Sequence, residues 1–169
     1  MLLRTHLSKI SSSAAAFLFM AAAASAQTGD TLQRHGDWQL DCRAELCQIF
    51  STLSRSNTNE VILSASVLLD RESDTVTVIL RAPKRTALPP GLRFWVSETS
   101  SAVVPYQYCD DEGCYAILQL EDGMRAEMAS VDRAVVEFIP YGSKERTALP
   151  LSLDGFDEAL GALRDSLEG

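Results

Sequence analysis

Tyr106-Gln107-Tyr108-Cys109-Asp110-Asp111-Glu112-Gly113-Cys114-Tyr115-Ala116-Ile117-Leu118 reads as a β-hairpin closed by a disulfide. Four turn-forming residues separate the two cysteines, and aromatic and branched residues that favour extended chain flank them on both sides. The same spacing occurs upstream in Cys42-Arg43-Ala44-Glu45-Leu46-Cys47. Opposed residues at a non-hydrogen-bonded hairpin position lie about 4.5 Å apart at Cα, a separation that a disulfide spans. Local pairing, Cys42 with Cys47 and Cys109 with Cys114, is therefore favoured over the two crossed connectivities. A four-cysteine zinc site is the rival reading, but zinc knuckles use shorter spacings and belong to reducing compartments. A redox pair would need two intervening residues rather than four.

Outward from these hairpins, apolar runs alternate with turn signals in the manner of an all-β sandwich or barrel. Strands are predicted near 37–42, 47–53, 61–69, 75–81, 92–97, 103–109, 114–120, 134–141 and 147–153. So many strands in a chain of this length imply two packed layers. Period-two alternation puts Trp38, Leu40 and Cys42 on one core face with Cys47, Ile49 and Leu53. In the second hairpin it groups Val103, Pro105 and Cys109 with Cys114, Ala116, Leu118 and Leu120. Tyr106, Tyr108, Tyr115 and Ile117 then occupy the opposite face, so this hairpin is expected to be covered on both sides. Two segments read as helical. One is 122–130, with Met124 and Met128 four apart; the other begins at Asp154 as amino-terminal cap and places Phe156, Leu160, Leu163 and Leu167 on one stripe. The predicted fold is thus mainly β: a two-layer antiparallel sandwich with a carboxy-terminal helix and one short additional helix.

The start of the chain has the three parts of a secretory signal. Arg4 and Lys9 make a basic beginning, Ile10 to Ala24 an apolar run, and Ala24-Ser25-Ala26 a small-x-small cleavage site. Residues 1–26 are accordingly read as a cleaved leader, 27–35 as a flexible lead-in and 36–169 as one β domain, with no integral membrane insertion after cleavage. The first cysteine, Cys42, lies too far inside the mature chain to carry a lipid. The whole chain has 15 basic and 23 acidic residues, a formal charge of −8, and loss of Arg4 and Lys9 makes the mature domain more negative still. Such a balance repels nucleic acid and anionic lipid, both of which need clustered Lys and Arg.

No catalytic constellation is legible. Histidine is the usual base for nucleophilic hydrolysis, and His35, in the lead-in, reads as a solvated side chain. Asp110-Asp111-Glu112-Gly113 lacks the alternating ligands of a calcium loop; a hairpin turn with Gly113 at a positive-φ position accounts for it. The expectation is a non-enzymatic protein with no metal and no cofactor. Two surfaces are candidates for recognition. In Leu92-Arg93-Phe94-Trp95-Val96, a core-facing set of Leu92, Phe94 and Val96 puts Arg93 and Trp95 on the other side. Trp and Arg are favoured at protein contacts, although a neighbouring loop or helix covering Trp95 is the competing account. The loop from Arg81 to Pro90 gathers Arg81, Lys84 and Arg85 in an acidic protein and is stiffened by Pro83, Pro89 and Pro90. It reads as a seat for an anionic ligand or, more simply, as a solvated connection.

Gly36-Asp37-Trp38 leading to Cys42 and Cys47, then Leu88-Pro89-Pro90-Gly91-Leu92, then Tyr106-Gln107-Tyr108-Cys109 with Gly113-Cys114-Tyr115-Ala116, and finally Leu149-Pro150-Leu151-Ser152-Leu153-Asp154-Gly155-Phe156 form an ordered set. Together they resemble the invasion-associated locus B family of exported alphaproteobacterial proteins, over nearly the whole mature chain. The resemblance implies an envelope location and a compact β domain with both disulfides. It implies no reaction and brings no catalytic residues. The function class expected is an exported envelope protein, most simply periplasmic, with outer-membrane association or secretion as the other placements, that binds a protein or cell-surface component, in the envelope or on a host surface. A structural or stress-protective domain without a discrete ligand, and an enzyme whose site is not visible in sequence, are the alternatives.

Overall fold

The computed structural model describes residues 31–43 and 46–168; the segment read from sequence as a leader, 1–26, and Gln27 to Asp30 lie outside the described residues. The strands are β1 (Thr31–His35), β2 (Trp38–Arg43), β3 (Leu46–Ser54), β4 (Val61–Asp70), β5 (Thr75–Ala82), β6 (Leu92–Trp95), β7 (Ser101–Val104), β8 (Tyr106–Cys109), β9 (Cys114–Gln119), β10 (Arg133–Phe138) and β11 (Thr147–Ser152). The helices are α1 (Asp122–Met128) and α2 (Phe156–Glu168). A seven-stranded sheet runs β1-β2-β3-β4-β5-β9-β8 and a four-stranded sheet runs β11-β10-β6-β7; every pairing within them is antiparallel.

Alternation dictates the core. In β5 the series Val76, Val78, Leu80 and Ala82 is buried while Thr75, Thr77, Ile79 and Arg81 are half-exposed. β6 contributes Leu92 and Phe94, and β10 Ala134, Val136 and Phe138. The stripe Phe156, Ala159, Leu160 and Leu163 docks α2 on β1, β2 and β3. There Phe156 meets Trp38 edge to face with ring centroids 5.0 Å apart, and the Trp38 indole N–H donates to the Ser152 carbonyl at 3.0 Å. Asp154 does not cap α2 with its side chain; its carbonyl instead accepts the Asp37 N–H at 3.1 Å. That bond presses the β1–β2 turn against the β11–α2 junction. Gly36 and Gly155 both have positive φ, and a Cβ on Gly155 would collide with the His35 carbonyl, so only glycine serves there.

Both cysteine pairs close locally, at the hairpin positions Cys42↔Cys47 and Cys109↔Cys114. Other expectations need correction. Residues 31–35 of the lead-in are a strand, because the backbone of β1 pairs with β2 across five residue pairs, a pairing that needs no apolar side chains. The single strand expected over 103–109 is two. Pro105, which cannot donate to a ladder, separates β7 in the small sheet from β8 in the large one. The crossing, with a register shift between Tyr106 and Tyr108, breaks the alternation. Val103 is therefore 63% exposed rather than core-facing, and Tyr106 packs against the core. The second hairpin is not covered on both sides either, since Tyr108 and Ile117 are exposed. Gly113 lacks a positive φ; it is small because a Cβ would strike the Ala82 carbonyl and come within 2.7 Å of the Arg81 Cγ.

Candidate interaction surfaces

On β6, Leu92 and Phe94 are buried to the last per cent and Val96 nearly so, which sends Arg93 and Trp95 outward as the alternation requires. The register sets their neighbours: Val103, Arg93, Glu137 and Ala148 form one cross-strand row, and Ser101, Trp95, Val135 and Pro150 the next. Arg93 is exposed and pairs with Glu137 at 3.7 Å. Trp95 is half-buried, and its indole N–H is shut from solvent without an acceptor among the described residues. The ring surface, not the N–H, is what Trp95 offers outward. Ser97, just beyond, donates to Glu127 of α1 at 2.7 Å and anchors that end of the strand.

The structure divides the predicted basic loop. Arg81 belongs to β5 and is engaged: its Nε donates to Ser64 Oγ at 3.0 Å and its Nη1 to the carbonyl of Glu112 at 3.2 Å, with the Glu112 carboxylate at 3.4 Å. Lys84 and Arg85 are exposed, and among the described residues neither forms an ion pair. Their backbone is more than a solvated connection. Thr86 Oγ1 donates to the Pro83 carbonyl at 2.7 Å, the Tyr141 N–H to the Arg85 carbonyl and the Ala87 N–H to the Ile139 carbonyl, both at 2.8 Å. Lys84, Arg85, Arg81 and Pro83 line an open cleft of about 630 Å³ together with Glu60, Val61 and Glu112.

Further features come into view only in the folded chain. Tyr108 and Tyr115, which alternation places on one face, stack at 4.5 Å on the outward side of the second hairpin, directly opposite each other in the register that Cys109↔Cys114 sets. Beneath them Asp110 accepts the N–H groups of Glu112 and Gly113, and these bonds, the Glu112 one foremost, hold its carboxyl below the usual range. Burial pushes the Tyr106 hydroxyl up to about 12, and that hydroxyl has no partner among the described residues. His35 is likewise half-buried with an unpartnered Nε2, contrary to its reading as a solvated side chain. A second cleft, of about 470 Å³, opens where Ser51 interrupts the apolar inner series of β3. Arg34, Asp37, Asp132 and Arg133 surround it. Among the described residues no three His, Cys, Asp or Glu are grouped to hold a metal.

The family model for the invasion associated locus B (IalB) protein matches residues 38–164. The chain belongs to the IalB family. The match begins at Trp38, the residue on which Phe156 rests, and spans both disulfide hairpins and most of α2. The crystal structure of invasion associated protein B from Bartonella henselae superposes with a TM-score of 0.73 at 18% identity, covering 82% of this chain and 99% of that one. At that identity the likeness establishes the IalB sandwich and nothing finer. No curated protein matches the sequence. IalB proteins are exported, and among the described residues no helix is long and apolar enough to cross a membrane.

Proposed function

We propose that this IalB-family chain is a non-enzymatic protein of the periplasm that acts by binding another envelope protein through the outward face of its four-stranded sheet. The observation that carries the reading is the composition of that face. Val103, 63% exposed, sits beside Arg93 in one cross-strand row and the ring of Trp95 lies in the next, with Val135 and the exposed Ala148 and Pro150 alongside. An aromatic ring and a planar cation set in apolar surface is the mixture that protein contacts favour. Periplasmic residence is supported by the leader pattern of residues 1–26 and by the exported character of the family. The Bartonella neighbour's association with invasion would extend the partner to a host-surface protein.

The test places a photoreactive side chain at position 103 in cells. A discrete adduct that Arg93→Glu abolishes, with the melting temperature of that variant unchanged, is the expected result. Trp95→Ala loses capture as well, and Trp95→Phe, which keeps the half-buried ring surface, retains part of it. Absence of any adduct, or one indifferent to Arg93→Glu, returns the domain to a structural role without a discrete ligand. Cell fractionation checks the compartment.

A further inference from the structure

At the far end of β6 from Trp95, we infer that the cleft beside Lys84 and Arg85 is a binding site for a phosphate-bearing ligand. The two acidic groups that line that cleft are already matched: Glu112 pairs with Arg81 and Glu60 with Arg55, at 3.4 and 3.7 Å. Lys84 and Arg85 are left over. Both line the same concavity, and both are held there by a loop tied to Ile139 and Tyr141 through its backbone. Two adjacent cations without a counter-charge repel each other, and an anion seated between them relieves that repulsion. In a chain of formal charge −8, they mark a local reversal of sign.

The chemistry of the ligand follows from the count. A carboxylate would neutralise one of the two cations, whereas a phosphomonoester, with its second pKa near about 6, is close to a dianion at neutral pH and satisfies both. Arg85 supplies a planar fork for two phosphate oxygens and Lys84 a compact point charge. The cleft is far larger than a phosphate group, and Val61, 37% exposed, and Pro83 add apolar wall. The cleft has room for a group that extends beyond the phosphate. Nucleic acid does not fit, because it needs a continuing basic stripe. A free phosphorylated metabolite and the headgroup of an envelope lipid share the required chemistry.

The experiment uses the oxidised exported protein, titrated calorimetrically with inorganic pyrophosphate and, separately, sedimented with phosphatidylcholine vesicles with and without phosphatidic acid. Saturable single-site binding is expected in at least one arm. Lys84→Ala and Arg85→Ala should each weaken it about tenfold, the worth of one charge-assisted hydrogen bond, without lowering the melting temperature. Added salt should weaken it further. Arg93→Ala should leave it unchanged, so the outcome is independent of the reading of the Trp95 face. Binding of pyrophosphate alone assigns a soluble ligand; Lys84-dependent binding only to phosphatidic acid vesicles assigns a lipid headgroup. No binding in either arm, or binding indifferent to both alanine variants, overturns the inference.

Discussion

Phe156→Ala probes the joint on which the domain closes. The side chain is 1% exposed and meets Trp38 edge to face at 5.0 Å. Truncating a phenylalanine so placed costs about 3–5 kcal/mol, the lost transfer energy plus the cavity left behind, and about 0.5–1.5 kcal/mol of that is the aromatic contact itself. Against a total of about 5–15 kcal/mol for a single domain, α2 would hold on only weakly. The melting temperature of the oxidised protein, followed by circular dichroism, should fall by about 10–20 °C. A companion variant, Trp38→Phe, keeps an aromatic ring but removes the donor to the Ser152 carbonyl. In a double-mutant cycle of Phe156→Ala with Trp38→Leu, which removes the ring itself, the two should couple by about 0.5–1.5 kcal/mol. A fall below about 3 °C would show that α2 is a detachable tail, and zero coupling would show that the ring contact does not join helix to sheet.

Tyr106→Phe removes a buried hydroxyl that has no partner among the described residues and should raise stability by about 1 kcal/mol, measured by denaturant midpoint. Because the folded Tyr106 pKa is raised to about 12 from 10.0, the wild type should lose stability as pH climbs through that interval, and the Phe variant should lose less. Asp74 takes Arg164 of α2 at 2.9 Å and Arg125 of α1 at 3.8 Å, and its pKa is lowered, chiefly by the Arg164 hydrogen bond. Its contribution is present above the unfolded carboxyl range and disappears as pH falls through the lowered value; Asp74→Asn should flatten that acid limb in pH-dependent melting curves. Reducing both disulfides should lower the melting temperature by no more than about 2–3 kcal/mol per bridge allows, with no metal detected by mass spectrometry. Non-reducing peptide mapping should join Cys42 only to Cys47 and Cys109 only to Cys114.

What was legible in the sequence follows from how each residue is used. Val76, Val78 and Leu80 could be read as a strand because their apolar side chains repeat every second residue and one face is buried. β1 could not, because Leu32, Gln33 and Arg34 are all exposed and the strand is held by backbone bonds to β2, which carry no side-chain signature. The sequence pattern reads Pro105 as part of one strand over 103–109; that the chain instead changes sheet there depends on β6 and β9, the partners on either side. The outward direction of Arg93 and Trp95 came directly from alternation. The difference between Arg81 and its neighbours Lys84 and Arg85 did not, since Arg81 is taken by Glu112, 31 residues away.

The motifs that carry the family resemblance are, on this structure, parts of the scaffold. Gly36 and Gly155 let the β1–β2 turn lie against the start of α2, Trp38 and Phe156 fill the space beneath, and the cysteines close two hairpins. Gly113 makes room for the Ala82 carbonyl. Each constrains the backbone or the core, where a substitution is felt as strain or a cavity. Lys84, Arg85, Arg93, Trp95 and Val103 lie outside those motifs, on outward faces or a loop whose backbone is fixed independently of its side chains. Their chemistry can change without disturbing the sandwich. Membership in the IalB family therefore specifies how this chain folds, while under the proposed function the choice of partner falls to surface residues that the fold leaves free. Exchanging those five side chains for those of another family member should transfer binding and leave the melting temperature in place; a loss of stability on exchange would show that surface and scaffold are not separable in this domain.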